Sequence, residues 1–410
     1  MDRDVFSVLA VFTLFSSLLN ALYIPTSANR DTLSVPQDYP TIQQALDAAE
    51  PGEEIRVAAG KYAEHITVEK SLTIVGDGPG TTIVDGEGAS NVVTVRANNV
   101  KISGLTIRNG SYGIYIGYST ACTLMDNHIE DNRWNLAVWG GKLEHYVHDI
   151  APTNLVQGKP VYYWVNQHKR CVPPDAGFVA AINSTGITVE KLDLASNEQG
   201  VLFVNTKHST IKRVMARGSD LGIYLLESHN NLVAENTIES VSFQGILLHV
   251  SHNNTLVGNT LRDGVLGIGL QTSSNNTIYH NNFINNKVQL GSYGSSNTWD
   301  SSEEGNYWSD YFGEDLDGDS LGDTLTPHLG VDYHPLMSPW GTDGDGTFPW
   351  QFAAFLVLAA TSILVSLVLL RKRFVKKRIG KDNTSLSKYM HLFCLAALCH
   401  ELDSFDALSL

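Results

Sequence analysis

The stretch DLDGDSLGD places Asp315, Asp317, Asp319 and Asp323 at positions 1, 3, 5 and 9 of a glycine-containing loop. Carboxylates at alternate positions around a glycine turn offer the hard oxygen ligands that calcium takes. Thr326 stands at position 12, where an EF-hand carries glutamate, so the loop is of another kind. The alternative is a solvated acidic loop. The expectation is structural calcium that fastens the end of the folded body and takes no part in catalysis.

A second constellation is a column of imidazoles. His208, His229 and His252 recur in one slot of a repeated unit, and Ser274 ends the row. Stacked imidazoles could share a soft metal such as copper. The competing reading is a row of solvated turn residues, favoured by the absence of any Met-rich or Cys-rich copper motif.

Polysaccharide cleavage needs either a base beside a cation or two carboxylates across a cleft. Lys212, Arg213 and Arg217 cluster in one repeat, and Asp131, Asp193, Asp220 and Asp263 supply carboxylates. Arg213 and Asp220 are the leading candidates, although other copies hold Asn, Ser or Arg in those slots. Aromatic residues are concentrated between 133 and 180, with Trp134, Trp139, Tyr162, Tyr163 and Trp164 among them. They could form a platform on which sugar rings stack, or the small core of an inserted subdomain.

These groups are carried by a repeat. GILLHVSHNNTLVGNTLRDG, from Gly245, is followed 22 residues later by GIGLQTSSNNTIYHNNFINN, from Gly267. Further copies open at Gly113, Gly200 and Gly222. Short apolar–polar alternations separated by Asn, Ser and Gly clusters read as short strands and turns. A fixed period of this size reads as stacking, because one unit cannot bury its apolar face alone. The expected fold is an all-β, right-handed, single-stranded parallel β-helix, with Asn254 and Asn276 in a hydrogen-bonded turn ladder.

The chain's 410 residues divide accordingly. Residues 1–28 read as a signal peptide or N-terminal anchor. Residues 34–132 hold a helical cap and the first coils. In the cap, Thr41 and Gln44 form a capping box, and Ile42, Ala45, Leu46 and Ala49 form the buried face. An inserted β subdomain follows at 133–180, then coils at 181–290. An acidic C-terminal cap spans 291–340 and a linker 341–350. Residues 351–370 are apolar enough to span a bilayer, and RKRFVKKR behind them marks the cytosolic side of a tail at 371–410. The predicted topology is therefore an external β-helix on a single membrane helix. Cys122 and Cys171 would both lie outside and could pair. Sequons begin at Asn109, Asn183, Asn253, Asn275 and Asn383. A net charge of −15 argues against nucleic acid as partner.

The segment TIQQALDAAEPGEEIRVAAGKYAEHITVEKSLTIVGDG resembles the opening of secreted carbohydrate-active β-helix proteins. NTWDSSEEGNYWSDYFGEDLDGDSLGDTLTPHLGVDYHPLM, residues 297–337, resembles the terminal signature of the NosD-type β-helix family, also described by a carbohydrate-binding and sugar-hydrolase (CASH) domain. The segment from Val156 to Leu192 is similar to one in archaeal cell-surface members. The resemblance implies the fold and an extracellular location. Binding of a polysaccharide or glycoconjugate follows as the first functional expectation, with a lyase or hydrolase and a copper accessory protein as alternatives.

Overall fold

Each rung of the repeat needs sharp corners, and the corners dictate its composition. In one rung, strands Leu221–Leu226, Leu232–Ala234 and Thr237–Glu239 are separated by left-handed residues at Glu227, Asn230 and Glu235. The next rung repeats the pattern at Val250, Asn253 and Gly258. Asn, Asp and Gly tolerate this conformation best, which is why they crowd the turns.

The structure, a computed structural model, describes residues 32–341 apart from Ser302. It is an all-β right-handed parallel β-solenoid of about 13 turns. The expected signal segment, membrane helix and cytosolic tail lie outside the described residues. Among the described residues no helix is long and apolar enough to cross a membrane.

Strand pairing is in register from rung to rung. Ile223, Ile246 and Ile268 align on one face, Val233, Leu256 and Ile278 on the second, and Ile238, Leu261 and Phe283 on the third. All nine point into one core. Polar ladders run beside them. Asn231, Asn254, Asn276 and Asn297 form one, each backbone N–H donating to the next side-chain oxygen at 2.8–2.9 Å. Asn236, Asn259, Asn281 and Asn306 form another. That ladder terminates on Asp332, whose Oδ2 accepts from Asn306 N at 2.8 Å and Trp308 Nε1 at 2.8 Å. The ladders satisfy corner amides that could not otherwise be buried.

At the N-terminal end, helix Ile42–Ala48 buries Ile42, Ala45 and Leu46, and Ala49 beyond it is buried too. Thr41 Oγ1 accepts from Gln44 N. The carboxylate of Glu64 takes the amides of Ile42 and Gln43 at 2.9 and 3.0 Å, a role the sequence reading did not assign to it. At the other end, residues 291–340 fold back over the last rung through Trp299, Trp308 and Leu336.

The expected insert at 133–180 is the principal correction. These residues form no separate subdomain. Strand Trp134–Trp139 pairs in parallel with Tyr112–Gly117, and Asp149–Ile150 and Leu155–Val156 extend the other two faces, so together they complete a rung. The chain then reverses into Lys159–Val165, antiparallel to Leu155–Val156, and founds a second stack by pairing in parallel with Phe178–Ile182. The two stacks have separate cores. Outward-facing Leu202, Val204, Tyr224, Leu226 and Leu247 of the second stack belong to the core of the first. Thus the side of the second stack closes the end of the first, and the solenoid turns an elbow. Strand Lys159–Val165 is the shared wall. Val161 and Tyr163 are buried in the first core, while Tyr162 and Trp164 pack on the second.

Candidate functional site at the elbow

The five aromatic residues proposed as a platform all gather at this elbow, with unequal exposure. Trp134 and Tyr163 are buried. Trp134 stacks at a tilt on Tyr112 with ring centroids 4.9 Å apart, and the Tyr163 hydroxyl donates to Tyr146 O at 2.6 Å. Trp139 is half-buried and donates its indole N–H to Glu198 Oε1 at 2.8 Å. These three join the stacks. Tyr162 and Trp164 remain half-exposed. Tyr162 donates to Asp175 Oδ1 at 2.9 Å, and the Arg170 guanidinium lies 4.4 Å above the Trp164 ring.

Trp164 lines a hollow of about 430 Å³ with Tyr163, Gln167, His148 and Asp149. Cys122 also borders it, buried and free, while Cys171 is exposed and free, so the two are unpaired. His148 is fully engaged: Nδ1 accepts from Cys122 N, and Nε2 faces His145 O at 3.0 Å. That arrangement fixes the proton on Nε2. Burial lowers the His148 pKa to about 4, so the ring is neutral at ordinary pH.

Asp220 lies beside a carboxylate that sequence reasoning missed. Glu198 and Asp220 occupy one slot on consecutive rungs, and Leu221 N donates to Glu198 O at 2.8 Å. Glu198 is 2% exposed, and its Oε2 has no hydrogen-bond partner among the described residues. Burial pushes its pKa up to about 7; the Asp220 charge adds to the rise, and Tyr112 and Trp139 oppose it. Gln199 Oε1 and Gln244 Oε1 in the next slot are also buried and unpartnered. Arg213 stands elsewhere, on the corner between two short strands. It pairs with Glu235 at 3.1 Å and approaches Glu190. The structure therefore does not unite Arg213 and Asp220 in one site.

In the C-terminal cap, carboxylate oxygens of Asp315, Asp317 and Asp323 lie within 4.8 Å of one another. Asp319 is outside that group and accepts from Leu321 N at 2.9 Å. Asp315 also accepts from Gly318 N and Ser320 N, so the loop's own amides preorganise it. Three such oxygens suit a hard cation.

His229 and His252 stack with centroids 5.3 Å apart and planes 10° from parallel. His229 Nδ1 accepts from His252 N, and His252 Nδ1 accepts from Ser274 N. In the neutral rings the proton is therefore on Nε2, where a metal would have to displace it. Desolvation lowers the His229 pKa, as do His252 and Lys207. His208 makes a backbone bond to His229 O at 3.4 Å and is exposed.

Among the sequons, Asn109 donates its amide nitrogen to both oxygens of buried Asp85. Asn183, Asn253 and Asn275 are exposed at left-handed corners. Asn383 is outside the described residues.

Residues 174–313 match the family described as periplasmic copper-binding protein (NosD). A cell surface glycoprotein of Methanothermus fervidus is 34% identical over 126 residues, covering 29% of this chain and 21% of that protein. The matched part is thus about a fifth of the relative's own length. Among solved structures, the A-module of the Azotobacter vinelandii mannuronan C-5 epimerase AlgE6 aligns over 62% of this chain and 74% of its own, at 18% identity and a TM-score of 0.30. The Dettilon tailspike protein aligns over 68% and 66%, at 12% identity and a TM-score of 0.32. The family match falls on the second stack, whose ladders and corners continue the rung pattern of the first, and this part of the chain is similar to the NosD-type β-helix family.

Proposed function

We propose that this protein is a cell-surface β-helix that binds carbohydrate at its elbow and is held outside the membrane by its apolar segment at 351–370. The hollow of about 430 Å³ beside Trp164 carries the reading. A concave surface with a half-exposed indole and flanking polar groups suits a sugar ring, which presents an apolar face and a polar rim. The similarity to a protein named cell surface glycoprotein supports the location. Calcium at Asp315, Asp317 and Asp323 would fasten the C-terminal cap, away from the ligand.

The test is to mix the full-length chain, with calcium, with a panel of polysaccharides and to analyse bound and free fractions by mass spectrometry. Retained, intact glycan supports the binding module. Shortened or unsaturated products would replace it with the lyase or hydrolase reading. Neither retention nor products would leave a structural rod of the envelope. A copper role, the second reading, is supported by the name of the matched family and by the His229–His252 stack. It requires stoichiometric copper retained against a competing chelator and lost on His229→Ala.

A further inference from the structure

The chain is acidic, yet its charge reverses locally at the elbow. Residues 159–217 hold eight Lys and Arg against four Asp and Glu, whereas the whole chain holds 28 against 43. Four of those eight cations are neutralised: Lys191 by Glu190, Lys212 and Arg213 by Glu235, and Arg217 by Asp193. Lys169, Arg170 and Lys207 are exposed and have no ion-pair partner among the described residues.

Their placement is fixed by the rungs. His168, Thr185 and Lys207 pair in parallel on three consecutive rungs. Lys207 is thus two strand spacings from His168, on the order of 10 Å. Lys169 occupies the same corner at φ 49°, and its stem crosses Gly186, where an added Cβ would meet Lys169 Cγ at 3.4 Å. Arg170 turns back over Trp164 and donates Nη1 to Gln167 Oε1 at 3.0 Å. Trp164 and Gln167 line the hollow, so Arg170, which contacts both, stands at its edge, and Lys169 and Lys207 occupy the adjoining corner. Asp149 is the acidic member of the lining.

We infer that this corner receives the carboxylate or sulfate groups of an acidic polysaccharide, with a sugar ring held on Trp164. The inference rests on the carbohydrate-binding reading and narrows it to one class of glycan. An exposed lysine gains little from one anion, because both are well hydrated. A polymer with an anion on every residue meets several cations at once, and each contact after the first forms at high effective concentration. Arg170, oriented by Gln167 and the indole, presents a planar guanidinium that suits a carboxylate or sulfate edge. The chain's overall charge of −15 opposes non-specific attraction to a polyanion, so retention would report a local site.

The experiment is affinity electrophoresis of the full-length chain in gels cast with polygalacturonate, dextran sulfate or neutral dextran. Retardation is expected in at least one anionic gel, and the stronger of the two identifies the group recognised. It should weaken about tenfold for Lys169→Gln combined with Lys207→Gln, and it should fade as salt approaches roughly 0.5 M. Lys212→Gln, which removes an ion-paired lysine, should migrate as the parent does. Equal retardation by neutral dextran and both polyanions, or full retention by the double variant, would overturn the inference while leaving carbohydrate binding intact. Retardation in neither anionic gel, with retention in neutral dextran, would do the same. No retardation in any gel would count against both readings.

Discussion

Glu198 shows how one side chain can make a fold sensitive to pH. Its folded pKa, about 7, lies above the value of 4.5 expected for an unstrained glutamate. Between those values the folded state binds the extra proton, so protonation favours folding. The stability it contributes is fully present below pH 4.5 and is lost as pH rises through 7. The difference is worth roughly 3 kcal/mol. The melting temperature of the parent should therefore fall between pH 5.5 and 8, and Glu198→Gln should flatten that part of the profile. An unchanged slope in the variant would exclude Glu198 as the cause. Asn259 offers a second test. Its amide donates to Val233 O and Asn281 Oδ1, and its Oδ1 accepts from Asn236 N. Asn259→Ala should cost about 2–4 kcal/mol in chemical denaturation, because it strands buried groups on both neighbouring rungs. Neither residue was equally legible. Asn259 belongs to a recurrent slot and could be read as a ladder member, whereas Glu198 is a lone glutamate made unusual only by the other stack.

Rungs and corners are the elements that sequence reading recovers best. The 22-residue spacing set the strands, their parallel register and the Asn ladder in advance, because stacking is local and repeated. Corner chemistry gives a sharper test. Val250 is left-handed at φ 50°, a poor conformation for a β-branched residue. Val250→Asn should raise stability by about 1 kcal/mol, and a lower midpoint would show that its side chain packs more than its backbone strains. Gly222 makes the opposite case. An added Cβ there would meet Gly245 O at 2.5 Å and the side chain of Ile238. Gly222→Ala should therefore destabilise by several times the ordinary helix or strand cost of about 1 kcal/mol, read as loss of far-UV signal at lower denaturant. For the acidic loop, a chelator should lower the parent's melting temperature and leave Asp315→Asn unmoved. Equal melting with and without chelator would sink the calcium assignment.

At the scale of the molecule, the elbow was the hard part to foresee. Dense aromatics between 133 and 180 suggested a small independent core, yet those rings serve two larger ones. A signal was present in the strands beyond. Val201–Val204, Ile223–Leu226 and Ile246–Leu248 are unbroken apolar runs, the pattern of a strand buried on both faces, whereas Gly269 and Gln271 interrupt the run in the next strand. Leu202 and Phe203 are neighbours in one strand but lie in different cores. Each truncation to Ala should cost about 3–4 kcal/mol. Because the wall is shared, both should shift one transition, with tryptophan fluorescence and far-UV signals coincident. Two separated transitions would mean that the stacks unfold independently.

Because Lys159–Val165 gives one face to each core, the bend is fixed from within, and length is decided elsewhere. A duplicated rung beyond Gly267 would move the far end by one strand spacing, roughly 4.8 Å, and leave every residue of the bend in place. The protein is built as a rigid bracket with an arm of adjustable reach. Descendants of such a chain could change the length of that arm without redesigning the bend.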